Sequence, residues 1–315
     1  MITPARIFRK IIGGKLSLSK GVDLLIAFIE TNKNLNIRLS SLRYLRLLDV
    51  KPNSLYSLLE NLLVSDDQEK IRSLAAEFIG SKFIERAMKP ISWALKYEKN
   101  YFCYISLIKI LSQRSETWIK VLLSSQMDSI CSRKYVDAQN LYSNISFINS
   151  LDDEKESNWE LYSISELAAI LINYRTISYL IDKFYYVFFE WKRGLISKLD
   201  LSELGWNVSR AWNFIYAERL LDLKEIPELF NLKHLEMLDL SNNRLRSING
   251  LHKLPKITHL YLRNNKLEGL ESIRDIKKMN KLEYLDIRGN NIVDDINKKD
   301  FPNLNLILKN YLVFM

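Results

Sequence analysis

The sequence is poor in cysteine and histidine, the residues that cross-link small secreted domains through disulfides or bind metals. It has two cysteines, Cys103 and Cys131, and three histidines among its 315 residues. Two cysteines cannot form a disulfide framework or a zinc site. No histidine has a Cys, His or Asp partner at metal-ligand spacing. We therefore expect no bound metal, no small-molecule cofactor and a reducing, cytoplasmic setting.

Long apolar runs and glycine-rich loops are also missing. No apolar run reaches the roughly eighteen residues of a membrane-spanning helix, and Ile11-Ile12 is too short for a secretory signal. The nearest approach to a phosphate-binding loop, Gly13-Gly14-Lys15, lacks the upstream strand and glycine. HExxH, CxxC and GxSxG motifs are absent. The sequence predicts a protein that is not an enzyme, although a catalytic set assembled from distant positions would escape this test.

Positive charge is concentrated at the start of the chain. The formal net charge is +9, and residues 1–51 contain ten Lys or Arg against Asp23, Glu30 and Asp49. Such a segment suits an acidic protein, a nucleic acid or an anionic membrane surface. A solvated helical face has the same composition. Nucleic-acid binding through residues 1–51 is therefore an open alternative.

Three segments near the C-terminus share one frame, apolar-x-x-apolar-x-apolar-x-x-Asn-x-apolar. They read LEMLDLSNNRL, ITHLYLRNNKL and LEYLDIRGNNI, between Leu235 and Ile292. Leu238, Leu260 and Leu285 occupy equivalent positions, 22 and then 25 residues apart. Alternating leucines point inward from a short strand, and the Asn amide can satisfy backbone groups where the chain turns. The units must stack, because none can bury its apolar side alone.

This frame resembles leucine-rich repeats, and the regular spacing of apolar residues resembles the 22-residue type of protein-phosphatase regulatory subunits. After Asn243 the apolar residues recur every third position, which predicts 3₁₀-like turns on the convex side. The longer unit has room for a short helix. The resemblance implies a short parallel sheet and a role in protein–protein interaction.

Residues 20–134 have helical periodicity in pairs of segments. An apolar-Arg-x-x-small pattern opens the second segment of two pairs, at Ile37-Arg38 with Ser41 and at Ile71-Arg72 with Ala75. This pattern resembles HEAT repeats, which stack into α-solenoids. The third pair departs from it, because Cys103 stands where the family has Arg.

The predicted fold class is an α+β repeat protein, an N-terminal α-solenoid followed by a leucine-rich-repeat solenoid. We assign residues 1–134 to the HEAT-like domain and 135–182 to a helical bridge with a charged loop at 152–156. Residues 183–315 form the leucine-rich-repeat domain, and Lys183–Glu190 is the outer strand of a β-hairpin cap. An aromatic, helix-like insert at 206–223 interrupts the repeats and is expected to plug the domain junction.

Side chains that point away from the leucine core are the candidate binding residues. In the predicted register they form three rows across the repeats on the concave face. Tyr and Arg are favoured in binding sites because they bury area and keep hydrogen-bonding groups. The predicted partner-binding residues are Met237, Asp239, His259, Tyr261, Arg263, Tyr284, Asp286 and Arg288.

The sequence therefore predicts a non-catalytic scaffold that binds a protein partner on the concave leucine-rich-repeat face. One alternative is binding of the nucleic-acid backbone by the basic N-terminal repeats. Another is a regulatory subunit of a phosphatase or a small GTPase, which the resemblance of the 22-residue units implies.

Overall fold

Two compact units make up the chain in the computed structural model. One contains residues 1–127 and 162–168, and the other contains residues 128–161 and 169–315. The structure describes residues 2–132, 147–151, 159–184, 187–204, 219–292 and 304–305, and the backbone alone at 209–210, 213–214 and 306–308. The predicted charged loop at 152–156 lies outside these residues. The bounds of the three predicted domains stay predictions.

The first unit is helical throughout its described length, as the periodicity of its sequence predicts. No helix in the described part of the chain is long and apolar enough to cross a membrane. The helices are α1 (Pro4–Ile12), α2 (Leu18–Thr31), α3 (Leu35–Leu47), α4 (Asn53–Ser65), α5 (Glu69–Lys82), α6 (Met88–Tyr97), α7 (Tyr101–Leu111) and α8 (Thr117–Cys131), with a 3₁₀ turn at Ile84–Arg86.

The helices of this unit pack in pairs. Helix α2 contacts α3, α4 contacts α5, and α6 contacts α7, while α5 also lies against α3 and α7. The small residues of the repeated pattern lie in this packing, since Ser41 and Ala75 are fully buried. A further close approach is at Gly80, where an added Cβ would lie 2.1 Å from Ile110 Cγ2. The pairing agrees with a HEAT-like array, but that classification and a solenoid shape stay predictions.

The arginines of the repeated pattern have equivalent partners in successive pairs. Arg38 pairs with Asp66, the residue after α4, and Arg72 pairs with Glu98, the residue after α6, at 2.7 Å. Each arginine thus connects the first turn of its own helix to the C-terminal end of the helix that follows it in the chain. At the third position, Cys103 has no guanidinium, so the series ends there.

The second unit begins with helical residues and continues as a six-stranded sheet. Helix α9 (Ile164–Phe184), of which residues 169–184 belong to this unit, contains the end of the predicted helical bridge at 135–182. The sheet has the order β1-β2-β5-β6-β7-β8, and only β1 and β2 are antiparallel. Its strands are β1 (Phe188–Lys192), β2 (Leu195–Asp200), β5 (Met237–Asp239), β6 (His259–Tyr261), β7 (Tyr284–Asp286) and β8 (Leu306–Leu308), and β3 (Ser209–Arg210) pairs separately with β4 (Asn213–Phe214).

One apolar core runs along the second unit from α9 to the last described repeat. It starts with Ile177 and Leu180 and continues through the frame leucines to Leu304. Leu238, Leu260 and Leu285 have no exposed surface. The spacers between strands are 3₁₀ turns, as their spacing of three predicts, and the longer spacer has the longest turn. These turns are Leu223–Glu225, Pro227–Asn231, Leu251–Lys253 and Leu270–Lys278.

The predicted hairpin cap is present, but its outer strand begins later than expected. Lys183 and Phe184 belong to α9, and β1 starts only at Phe188. The error arises because the apolar run continues from helix to strand without a break. Arg193 and Gly194 form the turn with φ of 53° and 72°, the left-handed region that such tight turns need.

The helix-like interpretation of the insert at 206–223 is wrong where the structure describes it. Its described backbone forms the short pair β3–β4, and Leu223 begins a 3₁₀ turn. Trp212, Phe214 and Tyr216 alternate with other residues in the sequence. This period of two favours a strand over a helix. The expected plugging of the domain junction stays a prediction.

Candidate functional site

The predicted register of outward-pointing residues is the register of the sheet. Met237 pairs with His259, which pairs with Tyr284, and Asp239 pairs with Tyr261, which pairs with Asp286. Strand β2 extends the rows through Lys198 and Asp200. We call the surface that these outward-pointing residues of β2, β5, β6 and β7 form the strand face, and include Arg263 and Arg288 just beyond the strands.

Buried asparagines hold the strands of this face at their ends. Asn265 Nδ2 donates to the carbonyl oxygens of Leu240 and Leu262 at 2.9 Å, and its Oδ1 accepts from the Leu245 N–H at 3.0 Å. Asn243 and Asn290 make equivalent contacts with their own neighbours. The ladder fixes the spacing of adjacent repeats, and it is the role that the sequence predicts for these residues.

A second ladder, which the sequence pattern did not predict, lies one residue earlier in each repeat. Glu203, Asn242, Asn264 and Gly289 hold this position, and all have positive φ, from 54° to 69°. Asn and Gly adopt this conformation most readily. Asn264 Nδ2 donates to Asn242 Oδ1 at 2.7 Å, and Asn242 Nδ2 donates to Glu203 Oε1 at 2.9 Å. In the first repeat, Leu204 occupies the position that Asn243 holds in the next repeat.

Three aromatic side chains form a cluster at the centre of the strand face. The rings of His259 and Tyr284 stack with centroids 5.6 Å apart, and those of Tyr261 and Tyr284 lie 5.1 Å apart. All three are partly exposed. Burial raises the pKa of Tyr261, and the carboxylates of Asp239 and Asp286 add to the effect. Tyr261 therefore stays a protonated phenol that can donate a hydrogen bond.

Asp286 has an internal partner. Its carboxylate is buried and accepts from Arg288 Nε at 2.9 Å and from a terminal guanidinium nitrogen at 2.5 Å. Asp286 also accepts from the Arg288 backbone N–H at 3.2 Å. This fork orients the partly exposed Arg288 side chain. The structure therefore places Asp286 beneath the strand face, where it positions a neighbour.

Asp200 and Asp239 also have a local backbone role at the ends of β2 and β5. Asp200 accepts from the Ser202 N–H at 2.8 Å, and Asp239 accepts from the Ser241 N–H at 2.7 Å. Burial raises the pKa of Asp239. The hydrogen bonds from Ser241 and the charge on Arg263 oppose that shift, while the Asp200 carboxylate reinforces it.

A cavity of about 510 Å³ opens beside the strand face, where β1 borders it. Phe188 is 71% exposed and pairs with Asp200 across the hairpin, so it extends the middle row of the face. Phe188 was not among the predicted binding residues, because the predicted outer strand, 183–190, did not specify a register against β2. Counting back from the Arg193-Gly194 turn would pair Phe188 with the buried Leu199, because such a count does not include the register shift between Glu190 and Trp191. The lining residues are Val187, Phe188, Phe189, Glu190, Lys198, Leu199, Asp200, Met237, Asp239 and Tyr261.

A separate groove of about 980 Å³ lies on helices α3, α5 and α7 of the first unit. Its floor includes Leu47 and Phe102, which are 67% and 45% exposed. Its rim contains cations and anions, and two of the cations, Arg46 and Lys82, pair with Glu77 and Asp49. The groove is a second candidate surface for a macromolecule, but the sequence did not point to it.

In the described part of the chain, His252 forms a hydrogen bond within the fold and the Cys103 thiol is buried. His252 Nδ1 lies 2.7 Å from Asp275 Oδ2, which connects two adjacent repeats. No group of three or more His, Cys, Asp or Glu there is placed to hold a metal ion. Burial raises the pKa of the Cys103 thiol to about 12, so it stays protonated. Cys131 is partly exposed.

Comparison with known families identifies repeats in the same part of the chain. A family model described as leucine rich repeats (2 copies) matches residues 233–275 and again residues 255–305. The two matches cover β5, β6 and β7 and the turns between them. Comparison with curated proteins and with solved structures gives no match.

Proposed function

We propose, on the premise that residues 233–305 are leucine-rich repeats, that the chain is a non-catalytic scaffold that binds a protein on its strand face. The observation that carries the proposal is the aromatic cluster of His259, Tyr261 and Tyr284, partly exposed at the centre of a regular sheet. Leucine-rich repeats generally mediate protein–protein interaction, and we extend that role to this chain by analogy of fold.

The strand face combines groups that are common in interface centres. Met237 and the three aromatic residues offer apolar area, and Arg263 and Arg288 offer forked donors at its edge. Because the strands and their turns are fixed by the asparagine ladders, the face is already ordered before binding. Preorganisation lowers the entropy lost on association, which favours affinity. We place Asp286 in a positioning role within this contact set.

Affinity capture tests this proposal. The chain is immobilised and the proteins captured from a cell extract are quantified by mass spectrometry. Tyr261→Ala with Arg263→Ala should reduce the recovery of the specific partner at least about tenfold, the effect of one or two interface anchors. The matched control is Leu270→Ala with Glu271→Ala, on an exposed 3₁₀ turn between strands. Equal loss in both variants, or no loss in either, would refute the choice of the strand face.

The identity of the captured protein decides a finer proposal. The 22-residue units resemble those of phosphatase regulatory subunits, so a phosphatase or small GTPase is a candidate partner. Repeated recovery of such an enzyme that depends on Tyr261 supports this regulatory role. A cytoplasmic location is part of the same proposal, since these enzymes would be met there.

A second candidate function is binding of a nucleic-acid backbone by the first unit. Of the ten cations in residues 1–51, Arg38 and Arg46 pair with acids, and the other eight are exposed. A gel shift with labelled duplex DNA that disappears steeply as salt increases would support it, because released counterions drive such binding. No shift at low salt would refute it. The eight exposed residues are Arg6, Arg9, Lys10, Lys15, Lys20, Lys33, Arg43 and Lys51.

A further inference from the structure

The cavity beside β1 contains two carboxylates that form no ion pair within the described residues. Asp200 and Asp239 are partly buried and adjacent in the sheet, and neither forms an ion pair within the described residues. Each accepts a backbone N–H through one oxygen, which leaves further acceptor capacity. Lys198 also borders the cavity, but its ammonium group is 2.8 Å from the Glu190 carboxylate. The cavity is therefore acidic in a chain whose net charge is +9.

The walls of the same cavity are apolar and aromatic. Phe188 and Met237 line it together with Tyr261, and Phe188 is 71% exposed. Long basic side chains lay their methylene stem along apolar surface while the charged end reaches polar groups. A guanidinium also binds favourably over the face of a tyrosine ring and forms forked hydrogen bonds with carboxylates.

We propose that this cavity receives an arginine side chain from a basic segment of the partner that binds the strand face. The stem lies between Phe188 and Met237, and the guanidinium lies between the carboxylates of Asp200 and Asp239, beside the Tyr261 ring. The occupant follows from charge complementarity, since the site offers two unpaired carboxylates within an apolar wall. The inference rests on the proposed function and names the chemistry of its partner.

Methionine-methyl NMR on the full chain tests the site without a known partner. The chain is labelled with ¹³C at its methionine methyls, and N-acetyl-arginine amide is added as the probe. The Met237 methyl should shift with saturation, while the methyl of Met88, an exposed residue of α6, should not move. N-acetyl-citrulline amide has nearly the same shape without the charge. It should require at least about tenfold higher concentration, which corresponds to about 1.4 kcal/mol.

Asp239→Asn is the informative variant, because an Asn oxygen can still accept the Ser241 N–H. It should weaken arginine-amide binding roughly tenfold, the loss expected for one charge-assisted contact. Glu271→Gln is the matched control, since it removes one negative charge from an exposed 3₁₀ turn away from the cavity. It should leave the titration unchanged. Absence of a Met237 shift, or equal shifts with arginine and citrulline amides, would overturn the inference.

The amount of partner recovered by affinity capture distinguishes failure of this inference from failure of the proposed function on which it rests. Recovery that falls with Tyr261→Ala and Arg263→Ala but is unchanged by Asp239→Asn overturns the arginine site and supports the strand face. If none of these substitutions changes the recovery of the partner, the proposed function is overturned, whatever the result of the NMR titration. Recovery that falls with Asp239→Asn and at higher salt supports both, because a partly exposed charge pair is screened.

Discussion

At the residue scale, buried asparagines determine how the repeats stack. Asn265 is 4% exposed and connects the backbone of two successive turns through its amide. Its neighbour Asn264 serves a different purpose, since it adopts the left-handed conformation and its side chain lies at the surface. Two adjacent asparagines thus have separate roles, and only the role of Asn265 could be predicted from the frame.

Replacement of Asn265 by Ala should destabilise the second unit by about 3 kcal/mol. The substitution leaves the buried Leu245 N–H without a partner, and an unsatisfied buried group costs about 1–3 kcal/mol. It also removes one of the two amide donors from each of the Leu240 and Leu262 carbonyl oxygens, which keep their bonds from neighbouring asparagines. Lys266→Ala, one residue later and exposed, should change stability by less than about 0.5 kcal/mol. Thermal unfolding followed by circular dichroism measures both. Similar melting temperatures for the two variants would contradict this role.

Asp275 should make the stability of the second unit depend on acid pH. Burial alone would raise its pKa, but hydrogen bonds from the Gly250 N–H and His252 hold the pKa below its ordinary value. A carboxyl with a lowered folded-state pKa contributes stability above its unfolded pKa and loses it as pH falls through the folded value. Asp275→Asn should therefore cost about 1 kcal/mol near pH 6. The difference from the unmodified chain should shrink as the pH falls below the ordinary Asp pKa of about 4, and a difference constant with pH would contradict this.

At the scale of elements, an ion pair recurs between helix pairs of the first unit. The sequence shows its cationic half, since Arg38 and Arg72 stand at equivalent places in a repeated pattern. The acidic half could not be predicted, because Asp66 and Glu98 lie at helix ends whose positions depend on packing. The two pairs connect successive helix pairs in the same way, which gives the repeat a physical basis.

Arg72→Ala should cost about 3 kcal/mol, because the Glu98 carboxylate, 5% exposed, loses its guanidinium. Arg46→Ala is the matched control, since the bridge from Arg46 to Glu77 joins side chains that are 38% and 41% exposed. An exposed pair of this kind contributes less than about 1 kcal/mol. Urea denaturation of both variants checks the ranking. An equal loss in the two variants would contradict the structural role of the Arg72 pair.

Strand and helix boundaries show where sequence reasoning fails. The repeats were predictable in detail, because a fixed frame specifies which residues face inward and which face outward. The start of β1 was not, since apolar residues continue from α9 into the strand and both elements bury them. The insert was misread because a few aromatic residues fit both periods. Where one apolar run serves two elements, tertiary packing sets the boundary.

At the scale of the whole molecule, the candidate site combines predicted and unpredicted parts. The rows of outward-pointing residues follow from the parallel register, so His259 and Tyr284 could be placed side by side from sequence alone. The cavity could not, because it needs the hairpin strand β1 at a particular offset against β2. The burial of Asp286 could not be predicted either, because the sequence marks both Asp286 and its partner Arg288 as candidate binding residues and does not show that they pair with each other.

The most direct measurement of the central claim is site-specific photocrosslinking in cell extract. A benzoylphenylalanine replaces Tyr284 on the strand face or, in a matched variant, Leu47 in the groove of the first unit. Because these probes react only with surfaces in contact, they report where a partner lies. We predict a discrete crosslinked protein from position 284 and none from position 47. A discrete product from position 47 alone would contradict partner binding on the strand face.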